Sequence, residues 1–238
     1  MSLPEDLVLL HGAVGAKVQL EPLAEVLSND FRVHLLDFEG HGGAPPRERP
    51  LRIPYLTENV RNALQARGIR RAGFFGYSMG GYVALYLALH NPDYVDRVAT
   101  LGTKFRWNVE TAEREAARLD PKAIRAKVPR FAEALAVRHG RAGGWESVLE
   151  RTAEFLRDLG ENPPLTDVTL GRIRQPVRIL VGDRDNTVSA DESAAVAGTL
   201  RNGTLTVFAE TPHPIEQVDV NELARVLRAF FSGLPASR

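Results

Sequence analysis

The sequence contains no cysteine, which excludes disulfide scaffolds, cysteine nucleophiles and thiolate metal sites together. It has no excess of charge of either sign: 30 Lys and Arg stand against 30 Asp and Glu, a formal net charge of +0. Without a basic field to hold a phosphate backbone or an anionic lipid surface, neither nucleic acid nor a membrane is an expected partner. The first residues, MSLPEDLVLLHG, carry no basic region and only four consecutive apolar side chains, Leu7 to Leu10, too few for a signal segment or a span. Cytoplasmic residence is the expectation. The six histidines, at 11, 34, 41, 90, 139 and 213, show no H-x-x-x-H or H-x-H spacing, and the glycines at 12, 15, 40, 42 and 43 form no G-x-G-x-x-G after a strand. No metal and no cofactor are expected. Repeats and low-complexity tracts are lacking too, and loose ends are expected only in a few residues at each terminus.

What remains is a chain of 238 residues, 44% of them apolar, enough to bury a sizeable core in an enzyme-sized unit. Short apolar runs alternate with longer amphipathic stretches, the pattern of βαβ units on a parallel sheet. Strands are predicted at Leu7–Leu10, Val33–Asp37, Gly73–Phe75, Val98–Leu101, Val177–Val181 and Leu205–Phe208, each bounded by Gly, Pro, Asn or Asp. Helices are predicted at Val18–Leu27, Leu56–Ala66, Gly80–His90, Ala190–Thr199 and Asn221–Phe231, where apolar residues recur three and four positions apart. The expected fold is a six-stranded, mainly parallel α/β sheet covered on both faces. One interval breaks the alternation with helical pattern alone, at Glu110–Leu119, Ala123–Arg138 and Trp145–Leu159, the second interrupted by Pro129. The expected organisation is a core of residues 1–103 and 168–238 with a helical cap inserted at 104–167. Arg47-Glu48-Arg49, among prolines, is expected to be a solvated loop.

The strongest chemical signal is Gly76-Tyr77-Ser78-Met79-Gly80-Gly81, between an apolar strand and a helix that begins at once. A sharp strand-to-helix turn strains the serine backbone and lifts its hydroxyl above the sheet, while glycines at 76 and 80 remove side chains that would collide as the two elements converge. The backbone N–H of Met79 then heads a helix, where free donors and the helix dipole favour a developing oxyanion.

With these features the sequence resembles the α/β-hydrolase superfamily over nearly its whole length. His11-Gly12-Ala13-Val14-Gly15, after the first strand, is similar to the family's HGxxG oxyanion loop, which implies Ala13 as the second N–H donor beside Met79. Asp37-Phe38-Glu39-Gly40-His41-Gly42 resembles the family's D-x-x-G-H-G structural turn, so His41 reads as a packing and capping residue. His34, within a strand, and His90, at a helix end, read as structural. A serine hydroxyl needs a base to take its proton and an acid to orient that base. Asp185, in Gly182-Asp183-Arg184-Asp185-Asn186-Thr187-Val188, matches the acid of the family's G-x-x-D-x-x-V turn, with Asp183 as the alternative. His213 is the sole histidine C-terminal to it. The resemblance thus implies Ser78 as nucleophile, Asp185 as orienting acid and His213 as base.

The chain also departs from the family pattern. It begins at the first parallel strand, which leaves no room for the two antiparallel strands that often lead the sheet. Pro212 replaces the glycine that often precedes the catalytic histidine, Glu216 follows His213 sooner than the usual glutamate, and Ala44 stands where a serine commonly ends the G-H-G turn. Ser78 in place of an aspartate separates the chain from the haloalkane dehalogenase and epoxide hydrolase branches.

Three functions are compatible with this set: a serine hydrolase acting on an ester, thioester or related acyl compound; a carbon–carbon bond hydrolase or lyase using the same triad; and a non-catalytic small-molecule receptor on the same scaffold. The first is favoured, with a small to medium, largely apolar acyl substrate. Lys104, Arg106 and Arg114 are the cations that could hold a carboxylate for the second. Phe105, Trp107, Phe131, Trp145 and Phe155 are the aromatic candidates for lining the cleft. Nothing in the sequence speaks to oligomeric state.

Overall fold

A computed structural model describes residues 5–233; the outermost residues of the expected core segments, 1–4 and 234–238, lie outside the described residues. Six strands run β1 (Asp6–Leu10), β2 (Arg32–Leu36), β3 (Ala72–Tyr77), β4 (Val95–Leu101), β5 (Val177–Gly182) and β6 (Gly203–Phe208). They form one sheet in the order β2-β1-β3-β4-β5-β6. Every pairing is parallel. Such strands are covered on both faces and so read as continuous apolar runs rather than alternating ones; all six residues of β3 are buried.

The connections supply the two layers. Helices α1 (Glu21–Leu27), α2 (Ile53–Ala66), α3 (Met79–His90), α4 (Val109–Ala117), α5 (Pro121–Lys127), α6 (Pro129–Arg138), α7 (Trp145–Glu161), α8 (Asp167–Leu170), α9 (Ala190–Thr199) and α10 (Val220–Phe231) follow in chain order. Strand residues of opposite parity face opposite cores. Leu7, Leu9, Phe75 and Leu180 pack with Leu23 and Leu27 of α1 and Leu223 and Leu227 of α10. Val8, Leu10, Phe74 and Ile179 pack instead with α2, α3 and α9. Five helices, α4 to α8, lie between β4 and β5. Phe155, Leu156 and Leu159 of α7 merge with the α2–α3 core, whereas Ile124, Ala132, Leu135, Trp145 and Leu149 make a small core of their own. No helix among the described residues is long and apolar enough to cross a membrane.

The elements differ from the sequence expectation in a few places, each with a local cause. The stretch 18–27 is two pieces, a 3-10 turn at Lys17–Leu20 and then α1, because Pro22 has no N–H to bond back to Val18 and its ring starts a helix instead. Pro129 splits the expected 123–138 helix outright, ending α5 at Lys127 and opening α6. Helix α8 is an unforeseen single turn capped by the Thr166 hydroxyl, which accepts from the Thr169 N–H. The loop at 47–49 is not merely solvated: Arg49 grips the buried Glu39 carboxylate through Nε at 2.8 Å and Nη2 at 2.6 Å, and reaches Glu58 at 3.0 Å. Burial alone would push the Glu39 carboxyl up; hydrogen bonds from Arg49 and Asn59 and the charges of Arg49 and Arg47 outweigh it and hold it below its ordinary value.

Candidate active site

Ser78 joins β3 to α3 with φ 51 and ψ −118, a region that costs a non-glycine residue about 1–3 kcal/mol and persists only where its surroundings impose it. Here they do. The Ser78 N–H donates to the Leu101 carbonyl at 2.8 Å, and the Ser78 carbonyl accepts from the Thr103 hydroxyl at 2.9 Å. A Cβ on Gly76 would fall inside contact distance of the Gly80–Gly81 backbone, and one on Gly80 would strike the Leu10 carbonyl. The approach is so close that only hydrogen fits at either position. Met79 is the first residue of α3, so its N–H is one of the donors a helix start leaves free.

The candidate base and acid, His213 and Asp185, come from loops beyond β6 and β5. His213 Nδ1 lies 2.7 Å from Asp185 Oδ2, and Asp185 is only 2% exposed. The other Asp185 oxygen accepts from the N–H groups of Thr187 and Val188 at 2.8 and 3.0 Å. A carboxylate held at both oxygens can only accept from Nδ1, which puts the imidazole proton there and leaves Nε2 free as a proton acceptor. Asp183 points elsewhere, accepting from the Thr211 N–H at 3.3 Å and bracing the loop that carries His213.

Two residues that the sequence reading left without a role shape this pair. Tyr77 donates its hydroxyl to the His213 carbonyl at 3.1 Å, with the two rings 5.4 Å apart. Gly102, at φ +59, passes so near that a Cβ would sit 3.0 Å from Asp185 Oδ2 and 3.1 Å from His213 Nδ1. The signal for Gly102 was a glycine at the end of a strand; nothing short of the fold shows what it makes room for.

The loop after β1 closes as a tight turn, Gly15 N–H to Gly12 carbonyl at 3.1 Å. Its third residue, Val14, has φ 49. For a β-branched side chain that left-handed conformation costs about 1–2 kcal/mol. Ala13, Val14, Ser78, Met79 and His213 line one cleft of about 360 Å³, roofed by residues of α4, α6 and α7. Trp107, Phe131 and Phe155 line it. Phe105 does not, facing a smaller pocket beside Leu165, and Trp145 is spent in the small core of the insertion.

Of the cations expected near the cleft, Lys104 reaches it, 3.4 Å from Glu192. Arg106 instead faces Asp167 at 3.5 Å, and Arg114 faces Glu115 at 3.5 Å. Arg118 and Arg138, not singled out from the sequence, also line the cleft, 2.9 Å from Glu115 and 3.4 Å from Glu216. Every cation of the wall therefore faces a carboxylate.

Beneath the cleft three histidines pack together, His11 against His41 at 5.4 Å and His41 against His139 at 6.0 Å between ring centres. Burial pulls the His11 imidazole down to about 4, against the raising effect of its bond to the Gly12 carbonyl, and the His41 imidazole down to about 3. Burial also lowers His139. His41 holds the turn it belongs to through the Glu39 carbonyl. His34 pairs with Asp6 at 2.7 Å on β1, and His90 stacks on Tyr86 at 4.2 Å, both remote from the cleft.

A family model for the alpha/beta hydrolase fold matches residues 7–144, a stretch that includes Ala13, Ser78 and Met79 but neither Asp185 nor His213. Among curated relatives, the pimeloyl-[acyl-carrier protein] methyl ester esterase of Vibrio cholerae is 34% identical over 99 residues, 42% of this chain and 37% of that protein. The match thus spans well under half of the relative's length. Among solved structures, the meta-cleavage product hydrolase of Pseudomonas fluorescens superposes with a TM-score of 0.81 at 19% identity, over 96% of this chain and 91% of that one. A thermophilic esterase from Thermogutta terrifontis superposes with a TM-score of 0.79 at 21% identity, over 98% and 91%. A meta-cleavage product hydrolase and an esterase thus share this fold to a similar degree. More than half the chain fits the family model and the six-stranded sheet carries its serine at the strand-to-helix turn, so the chain belongs to the α/β-hydrolase fold family.

Proposed function

We propose that the protein is a serine hydrolase that cleaves small to medium, largely apolar esters through an acyl-enzyme, with α4 to α7 as a cap over the site. The observation that carries this reading is the strained Ser78 at the head of α3, in one cleft with His213, whose Nδ1 is bound to the buried Asp185. In the proposed reaction Ser78 Oγ attacks the ester carbonyl carbon as His213 Nε2 takes its proton. The oxyanion is received by the N–H groups of Met79 and Ala13. The tetrahedral adduct collapses, the leaving alkoxide takes the proton from His213, and water repeats the sequence to release the acid and restore Ser78.

The cleft favours an uncharged substrate. Its volume suits a compact acyl group, and the carboxylates beside Lys104, Arg118 and Arg138 leave no unbalanced cation to select a substrate carboxylate. That arrangement supports ester cleavage over the carbon–carbon reaction on a charged dione. A small-molecule substrate without metal or cofactor, and cytoplasmic residence, belong to the same proposal. A fluorophosphonate probe followed by peptide mass analysis is expected to place its adduct on Ser78, and p-nitrophenyl butyrate to be turned over faster than the palmitate. An adduct on another residue, or a preference for the palmitate, would overturn the reading.

A further inference from the structure

We propose that Arg138 and His139, at the C-terminal end of α6, are positioning residues for the oxyanion loop, so that the cap and not the core alone completes the oxyanion hole. The inference rests on the function proposed above. Its starting point is Val14, which holds a left-handed φ of 49 although it is β-branched, in the turn closed by Gly15 and Gly12. Such a turn prefers glycine at that position, and something outside it must hold the valine there.

The holding groups come from the cap. The Val14 carbonyl accepts from His139 Nε2 at 2.9 Å and from Arg138 Nη1 at 3.3 Å. Its side chain packs on the cap's own small core around Leu135 and Trp145. The His139 tautomer follows from its partners. The Gly42 N–H, which can only donate, meets Nδ1 at 3.0 Å, so the ring proton sits on Nε2 and points at Val14. Burial lowers this imidazole's pKa, which favours the neutral form that the pairing needs.

Arg138 ties the same loop from a second direction. Its Nη2 lies 3.4 Å from Glu216, Gln19 donates to Glu216 at 2.6 Å, and the Ala16 N–H donates to Gln19 Oε1 at 3.0 Å. A closed ring of contacts thus joins α6, the segment just after the oxyanion loop, and the loop that bears His213. Ala13, whose N–H is the proposed second oxyanion donor, precedes Val14 directly and turns with it. Losing the α6 contacts frees Val14 to relax and carries the Ala13 N–H off the line of the developing charge.

The test compares His139→Leu, which removes donor and acceptor but keeps bulk, with His139→Gln, whose amide can still donate to Val14 and accept from Gly42. In His139→Leu the Gly15 amide should exchange hydrogen at least about tenfold faster. The kcat for p-nitrophenyl butyrate should fall on the order of ten- to a hundredfold with KM within about twofold. A trifluoromethyl ketone, which presents the oxyanion as a stable adduct, should weaken by the same factor as kcat. The Gln variant should recover most of each loss. Should His139→Leu not fold, Arg138→Met takes its place with the same readouts. Unchanged Gly15 exchange, unchanged kcat, or a kcat loss with no loss of ketone affinity would overturn the inference. An unlabelled, ester-inactive wild type would instead overturn the proposed function, and Gly15 exchange would still decide whether α6 holds the loop.

Discussion

Strand β3 and the first turns of α3, which carry Ser78 between them, are buried from Ala72 to Leu85 except at Ser78 itself. Helices α5 and α6, beside the loop after β1, bury only Ile124, Ala132 and Leu135 of their own residues, and leave Phe131 and Val137, and Val128 between the two helices, open to solvent. The first region is held by dense packing that few rearrangements could preserve. The second is held by one small cluster and a handful of hydrogen bonds, the profile of a segment that opens locally at low cost. The two sides of the cleft therefore differ in kind: Ser78, the proposed nucleophile, is fixed by the core, and the facing wall is fixed by contacts that can be released.

The sharpest way to probe the core side is to change its chemistry without its packing. Asp185→Asn should lower kcat on the order of 10⁴-fold, because the His213 tautomer and the support for its charged form are lost, while thermal stability changes little. Asp183→Asn, which loosens only a backbone brace at Thr211, should cost far less. If the order is reversed in p-nitrophenyl ester assays, the acid has been misassigned.

Packing itself separates the two regions next. Phe75 is fully buried between β1, β4 and the α1–α10 layer, and Phe75→Ala should cost about 3–5 kcal/mol in global stability by urea unfolding. Leu135→Ala should lower global stability less, and should speed amide exchange across 121–138 while the strands keep their protection. Equal losses from the two would make α5 and α6 part of one cooperative unit with the sheet and dissolve the contrast.

A more gradual effect should appear with pH. His11 and His41 are held neutral with folded values near 4 and 3 against 6.5 when unfolded. The unfolded chain then binds more protons than the folded one below about pH 6.5. Stability is fully present above that pH and should fall as it drops toward 4, by up to about 1.4 kcal/mol per pH unit for each histidine. Because the cluster joins the turn at Gly42 to α6 through His139, acid should loosen the cap side first. A flat stability profile between pH 7 and 4.5 would contradict the burial of these rings.

Much of this molecule can be read from its sequence because its cues are local. Apolar runs bounded by turn residues locate all six strands, and the spelling around Ser78 is legible because the glycines that permit the turn are its immediate neighbours. Pro22 and Pro129 moved helix boundaries for reasons equally local. What the sequence could not disclose depends on contacts between distant segments. Gly102 matters because two loops more than eighty residues further along the chain close over it. Tyr77 lay inside the motif, but its hydroxyl has a task only once His213 arrives beside it. Arg138 and His139 look like an ordinary basic helix end until α6 is laid across the loop that holds Val14. Among the aromatic candidates for the cleft, Trp145 and Phe105 turned inward, since the apolar spacing of a helix gives its stripe but not which of two cores that stripe will face.

The matched charges of the cleft wall have a further consequence. Because Lys104, Arg118 and Arg138 are each set against a carboxylate, the wall is zwitterionic rather than neutral by absence of charge. An uncharged substrate gains nothing from long-range attraction, so its capture is indifferent to ionic strength. A zwitterionic wall also keeps its cations in reserve. Loss of the single carboxylate of Glu216 would leave the Arg138 guanidinium uncompensated beside His213, and one substitution would then turn a surface blind to charge into one that draws in anionic esters.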